Sequence, residues 1–206
     1  KQQDMKKIII NIGRQFGSGG LAVAKALGKK LDIPVYDNEL ITKAAQDSGF
    51  SAEFFVEKDE KRSFFSLTTL FSHGYGSCNE DFMSEGGLFK IQSETIRKIA
   101  EQGSAIIVGR CSDYILRDLD CCLDVFLTAS EEVRAARIAE RCGINEEKAL
   151  EMLRKREKDR ADYYNYFTFG NWGVASNYDL CIDSGKLGIE GTADFIIDFA
   201  RRAGLI

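Results

Sequence analysis

Near the start of the chain, the apolar run from Lys7 to Ile12 opens directly into Gly13-Arg14-Gln15-Phe16-Gly17-Ser18-Gly19-Gly20, and Leu21 to Leu31 then carries apolar residues at helical spacing. A buried strand, a glycine-rich bend and a helix in that order narrow the possible folds more than any other feature of the sequence. Glycines let successive backbone amides turn inward, and the helix N-terminus adds its partial positive charge, so the bend is suited to an anion such as phosphate. A tight structural turn uses glycines too, so the reading rests on the strand before the bend and the helix after it.

The alternation recurs. Phe89 to Gln102 is amphipathic, with Leu88, Ile91, Ile96 and Ile99 as its apolar residues; Gly103 ends it and Ser104 to Val108 reads as a buried strand. Leu123 to Leu127 predicts another strand. Ser130 caps a helix with Glu131 and Glu132 in its first turn, which runs to Cys142 before Gly143, and Asn145 caps a longer one from Glu146 to about Tyr163. Tyr178 to Ile182 is a further strand candidate and Ile189 to Arg202 a closing helix. Strands alternating with helices predict a parallel sheet with right-handed crossovers, hence an α/β fold of the three-layer α/β/α sandwich type with ligands at the carboxyl ends of the strands.

The 206 residues suffice for one hydrophobic core, and a single domain over 1–206 is expected. Residues 50–87 break the alternation and read as an inserted helical flap carrying Phe54, Phe55, Phe64, Phe65, Phe71, Tyr75 and Phe82. These aromatics suit stacking on a substrate base, burial against the main domain, or a homodimer interface through 50–87. Residues 130–168 read as a lid-like helical pair.

Twenty-eight Lys and Arg against 32 Asp and Glu give a net charge of -4, a poor match for a nucleic-acid backbone or an anionic membrane, so neither is an expected partner. No apolar stretch approaches the roughly 20 residues that span a bilayer. The polar lead-in Lys1 to Lys7 lacks a signal-peptide core, which makes the cytoplasm the expected location. Six cysteines without a CxxC pair and the single His73 offer a metal little, so no metal ligand is assigned and reduced thiols are expected. Adjacent Cys121 and Cys122 read as small residues entering a buried strand, with a redox pair as the other possibility.

The bend departs from the phosphate-binding pattern GxxxxGK[ST]. Setting Gly19 on the second Gly puts Arg14 at the first, Gly20 at the Lys and Leu21 at the Ser/Thr. The Lys ordinarily neutralises β- and γ-phosphates and the hydroxyl holds magnesium, so a working phosphotransferase needs those functions elsewhere, and Arg14 is the nearest replacement cation. Arg134, Arg137 and Arg141 fall at spacings of three and four, as do Arg156 and Arg160 on the following helix, so each set shares a helix face. Such faces serve either a phosphate clamp or a solvated surface.

The segments INIGRQFGSGGLAVAKALGKKLDIPVYDNELI, SAIIVGRCSDYIL, DVFLTASEEVRAARI, DRADYY and YDLCIDSGKLGIE, in that order, resemble the cytidylate kinase-like family over most of the chain outside 50–87. The family is similar to bacterial cytidylate kinases, P-loop nucleoside monophosphate kinases that move a phosphoryl group from ATP to CMP or dCMP. The resemblance implies a P-loop NTPase-like fold with a helical lid, ATP and Mg2+ as cofactors, and nucleotide substrates with a (d)CMP-like acceptor. It implies that the amides of Gly17, Ser18, Gly19 and Gly20 cradle donor phosphates and that Arg14, Arg137 and Arg160 offset charge. Arg110 matches the Arg of a Gly-Arg-Asp motif that contacts the monophosphate; Cys111 stands where the family has Asp, and Asp113 is the substitute carboxylate. Asp37 is placed near the acceptor, where it orients that substrate, holds magnesium through water or merely caps the helix from Glu39. Ser184 and Lys186 follow the last strand in a stretch resembling Ile-Asp-Thr-Ser, beside the adenine pocket. A nucleotide- or phosphometabolite-binding regulator that lost catalysis is the alternative, and a structural partner protein using 50–87 the third.

Overall fold

The computed structural model describes residues 6–47 and 82–206. Its centre is β1 (Ile9–Arg14), which carries Ile8, Ile9, Ile10 and Ile12 into complete burial. The other strands are β2 (Val35–Tyr36), β3 (Ala105–Val108), β4 (Cys122–Thr128) and β5 (Leu180–Asp183), all parallel in the order β2-β3-β1-β4-β5. Ile9 to Ile12 pair with Ala105 to Val108 on one side and with Cys122 to Val125 on the other. Connections therefore leave β1 toward both flanks, and the crevice opened by that divergence lies at its carboxyl end, where the glycine-rich bend begins.

One face of the sheet is covered by α1 (Gly20–Leu31) and α7 (Ser184–Arg202), whose Val23, Leu27, Ile196 and Ile197 pack on Ile10, Ile12, Val125 and Leu127. Gly28 is required there, because a Cβ would lie 2.5 Å from Val35 Cγ2 and 3.0 Å from the Ile33 carbonyl oxygen. The other face is covered by α2 (Asn38–Asp47), α3 (Phe82–Gln102) and the short α4 (Ser112–Ile115), with Ile41, Ile96, Ile99 and Ile115 on Ile9 and Ile107. The third layer of packing is a helical pair, α5 (Glu131–Cys142) and α6 (Glu146–Thr168), whose Ala135, Ile138, Ala149 and Leu153 enclose Phe16 of the bend.

The three-layer parallel sandwich is as the sequence predicts, and the caps are those expected. Ser130 accepts from the Val133 amide, Asn145 from Lys148, and Gly143 ends α5 with φ 64°. Several boundaries differ: α6 runs on to Thr168 past the Tyr163 expected, and β5 begins at Leu180, two residues after the Tyr178 expected. α3 begins at Phe82, because Gly86 and Gly87 continue the helix where they were read as part of the flap; a Cβ at Gly86 would meet open space. α7 begins at Ser184, with Asp183 Oδ1 accepting from the Gly185 amide, and Gly188 (φ 68°, ψ 179°) then breaks it just before the Ile189 start predicted. Residues 50–81 of the flap lie outside the described residues. Among the described residues no helix is long and apolar enough to cross a membrane.

Candidate active site

The bend is built as an inward-facing shell. The Gln15 amide donates to the Leu127 carbonyl at 2.9 Å, and the Ser18 amide and hydroxyl both donate to the Gln15 carbonyl, at 3.3 and 2.9 Å. Gly17 and Gly19 both have φ 82°, a left-handed conformation that side chains rarely adopt. Space is exhausted as well as conformation. A Cβ would stand 2.8 Å from the Arg134 carbonyl oxygen at Gly17, 2.6 Å from Ile189 Cδ1 at Gly19 and 2.8 Å from Arg14 Cγ at Gly20. The amides of Gly17, Gly19 and Gly20 donate to no acceptor among the described residues, and they surround the N-terminus of a twelve-residue helix. Clustered free donors on a helix dipole are an anion site in search of an anion.

Arg14 lies across that helix start. Its stem packs on Gly20, and its Nη1 reaches β3's end, where it leaves no room for a Cβ on Gly109. Beyond β3 three consecutive residues are left-handed: Gly109 (φ 77°), Arg110 (φ 59°) and Cys111 (φ 55°). The two that are not glycine each cost roughly 1 kcal/mol or more, strain of the kind that collects at functional sites. That turn stands the Arg110 guanidinium 5.5 Å from the ring centre of Tyr163 on α6. From the same helix Arg160 Nη1 donates to the Arg14 carbonyl at 3.0 Å, and its guanidinium lies 5.2 Å from the Phe16 ring.

Among the described residues no carboxylate lies within salt-bridge distance of Arg14, Arg110, Arg137 or Arg160. Burial, then the charges of Arg160 and Arg110, pull Arg14 well below the usual arginine range. Arg160 is lowered to about 10, chiefly by burial, with Arg156, Arg141 and Arg110 adding to the effect against Glu157. A desolvated cluster of like charges is unfavourable unless an anion completes it. Asp37 adds a distant attraction on Arg14, while its Oδ1 accepts from the Leu40 amide at 3.1 Å and so caps α2.

Arg134 behaves differently, and sequence spacing alone did not separate it from its neighbours. It is buried, its Nε donates to the Ala129 carbonyl at 2.9 Å, and its Nη1 donates to Glu157 at 2.6 Å and to the Phe16 carbonyl at 3.4 Å. It ties bend, α5 and α6 into one unit. Replacing Arg134 by Met is expected to destabilise the protein by about 3 kcal/mol, because Glu157 keeps a charge without its partner; chemical denaturation measures this, and a loss below about 1 kcal/mol contradicts the buried-pair account.

The remaining predicted residues fall around this centre. Arg137 reaches over the bend to donate to Ser184 Oγ and the Ser184 carbonyl, both at 3.3 Å. Ser184 is fully buried, and its hydroxyl bonds the Ser18 carbonyl and the Thr128 carbonyl, so it braces the bend against β4 and α7. Lys186, in the first turn of α7, is exposed. Asp113 Oδ2 accepts from the Tyr164 hydroxyl at 2.8 Å, and burial raises its carboxyl. Below it, Asn11 Nδ2 donates to Asp124 Oδ1 at 2.8 Å between paired strands, and burial pushes that carboxyl up to about 6. Asp124 lies inside an apolar strand, which by itself predicts a buried partner, and Asn11 is that partner; Asn11 and Gln92 were not singled out from the sequence, a polar residue on an otherwise apolar stripe being the available signal for each. For magnesium the protein's own donor set is not assembled: Leu21 stands at the hydroxyl position, and among the described residues no group of three His, Cys, Asp or Glu converges.

Comparison with known proteins identifies the family and the fold. The model of the cytidylate kinase-like family matches residues 9–186. A cytidylate kinase from Methanothrix thermoacetophila is 38% identical over 195 residues, covering 94% of this chain and 98% of the relative. The crystal structure of an uncharacterized protein from Eubacterium ventriosum superposes with a TM-score of 0.74 at 34% identity, covering 96% of this chain and 99% of the other. Shikimate kinase from Bacteroides thetaiotaomicron shares the fold alone, with a TM-score of 0.56 at 14% identity over 94% and 98% of the two chains.

Proposed function

The chain belongs to the cytidylate kinase-like family, and from that membership we propose that it transfers the γ-phosphoryl group of ATP to a (d)CMP-like acceptor. The observation that carries the reading is the convergence of Arg14, Arg110 and Arg160, with no carboxylate in contact among the described residues, on a helix N-terminus whose amides are free among those residues. Phosphoryl transfer asks for alignment and charge compensation more than for a covalent nucleophile.

The amides of Gly17, Gly19 and Gly20 line the donor-phosphate cradle, Ser18 shapes it through its own bonds to the Gln15 carbonyl in place of the contact expected of its amide, and the cation missing from the loop comes from Arg14. Arg110 takes the acceptor phosphate. Arg160 and Arg137, carried on the helical pair of residues 130–168, close on the charge at the transferring group and exclude water. Asp37 and Asp113 shape the acceptor side, while Lys186 borders the donor nucleotide and Ser184, buried instead of facing the nucleotide as expected, braces the bend beneath it. Magnesium travels with the phosphates of ATP, and no step requires a protein-held ion. Residues 50–87 complete the acceptor cleft or join two copies.

A regulator that binds nucleotide without turning it over is the second reading, favoured by Gly20 and Leu21 at the Lys and Ser/Thr positions. Coupled-enzyme assays with CMP, dCMP, UMP and AMP at saturating ATP and magnesium separate the two. Turnover with a pyrimidine monophosphate is the expected result. Calorimetric binding of ATP with no turnover of any acceptor selects the regulator.

A further inference from the structure

An apolar ring is out of place beside amides suited to an anion, yet Phe16 stands between Gln15 and Gly17, half-buried. Its side chain leaves the bend for the helical pair, where it packs on the buried Ala135, Ile138, Ala149 and Leu153. Apolar packing does not exhaust what the ring touches. The Arg160 guanidinium lies 5.2 Å from its centre and the Arg141 guanidinium 5.4 Å, the first carried by α6 and the second by the last turn of α5. Both distances fall within the range at which the quadrupole of an aromatic ring attracts a cation.

Two like charges brought to one ring repel each other, and the charge of Arg141 is among those that oppose the Arg160 cation. Among the described residues no carboxylate lies within salt-bridge distance of either. The ring is an attraction that both share. It is fixed from the backbone as well: Arg134 Nη1 donates to the Phe16 carbonyl at 3.4 Å, and Arg160 Nη1 donates to the preceding Arg14 carbonyl at 3.0 Å. Bend, α5 and α6 therefore meet at this residue. A leucine would fill the same apolar niche, but it has no quadrupole to hold the arginines.

We infer that Phe16 is a positioning residue: its ring draws the Arg141 and Arg160 guanidiniums from two helices to the edge of the bend and holds them there, against their mutual repulsion, where a polyphosphate in the cradle meets both. This rests on the donor-phosphate cradle of the kinase reading above, and it adds Arg141 to the cations that face those phosphates. Arginines already ordered by the ring spare a bound polyphosphate the entropy of ordering them. Phe16 itself touches no reacting atom and acts through the two side chains it holds.

The experiment is calorimetric titration with ATP of the wild-type chain, of its Phe16→Leu variant, and of full chains carrying monofluoro-, difluoro- or trifluorophenylalanine at residue 16. Each fluorine weakens the negative face of the ring while the ring keeps its shape and its apolar contacts. ATP affinity is expected to fall stepwise along the series, by roughly 5- to 30-fold at trifluorophenylalanine, and Phe16→Leu is expected to lose at least as much. The fluorinated chains are expected to melt within about 5 °C of wild type, because their packing on α5 and α6 survives. ATP affinity within twofold of wild type in the trifluoro chain overturns the inference, whatever Phe16→Leu does. So does a trifluoro chain whose melting temperature falls further than that, since the ring is then structural. A wild type that binds ATP but phosphorylates no acceptor removes the kinase reading and leaves the stepwise fall to decide this inference; one that binds no ATP removes both.

Discussion

Replacing Arg14 by Met is expected to lower phosphoryl transfer by about three orders of magnitude and to leave the unliganded protein at least as stable as wild type. The two effects have one cause. Arg14 carries its charge into a crowded corner between Gly20 and Gly109, beside Arg110 and Arg160, with no carboxylate in contact among the described residues. Without ligand that charge is a burden, since burial and like-charge repulsion both oppose it. With a polyphosphate in the cradle the same charge offsets the transferring group in a site that excludes water, where electrostatic effects are largest. Met keeps the aliphatic stem that packs on Gly20 and removes only the guanidinium.

Steady-state turnover, ATP titration and a ligand-free thermal melt test this together. Turnover within threefold of wild type would mean another group supplies the loop's missing cation. A variant that melts well below wild type would mean Arg14 is structural. Arg14→Lys is expected to fall between, because an ammonium restores a point charge without the planar fork that reaches Gly109.

A large effect on stability is expected from Gly17→Ala as well. Its φ of 82° alone costs an alanine roughly 1 kcal/mol, and the new methyl group would sit 2.8 Å from the Arg134 carbonyl oxygen and 3.0 Å from Ile138 Cδ1. A backbone oxygen on a capped helix cannot swing aside as a side-chain end can, so the bend itself must move. A total loss of about 3 kcal/mol is expected, which for a chain of this size corresponds to a fall of roughly 6 to 12 °C in Tm. Because the moving atoms are the amides of the cradle, ATP affinity should fall along with stability. Gly86→Ala provides the contrast: its Cβ meets open space on a helix, so a gain of about 0.5 to 1 kcal/mol is expected. Equal melting temperatures for the two variants would contradict the steric account of the bend.

Much of this could be read along the chain. The strand, bend and helix from Ile9 to Leu31, the Ser130 and Asn145 caps and the Gly143 stop all depend on residues within a turn or two of one another. Parallel pairing followed from strand and helix alternation, and with it the expectation of a cleft at the strand ends. Arg14 could be nominated as the cation nearest the loop's missing Lys, and Arg110 because it comes just past the end of a strand. By spacing Arg134 and Arg137 could not be told apart, and only the family resemblance favoured Arg137, since one helix face presents both and their partners, Glu157 and Ser184, come from elsewhere in the fold. Ser184 could be placed after the last strand, yet its bracing of Ser18 depends on a contact 166 residues away.

The order of elements, the parallel sheet and the glycine-rich bend were therefore determined by the amino-acid sequence by itself, because periodicity, capping and left-handed turns are set by near neighbours. Whether the arginines stand alone or in ion pairs was decided only by tertiary structure. The bond from Arg160 to the Arg14 carbonyl closes a separation of 146 residues, and the meeting of Tyr163 with Gln92 depends on how α6 crosses α3. Electrostatic compensation and the satisfaction of buried polar groups are properties of proximity in space, and local spacing carries no information about them.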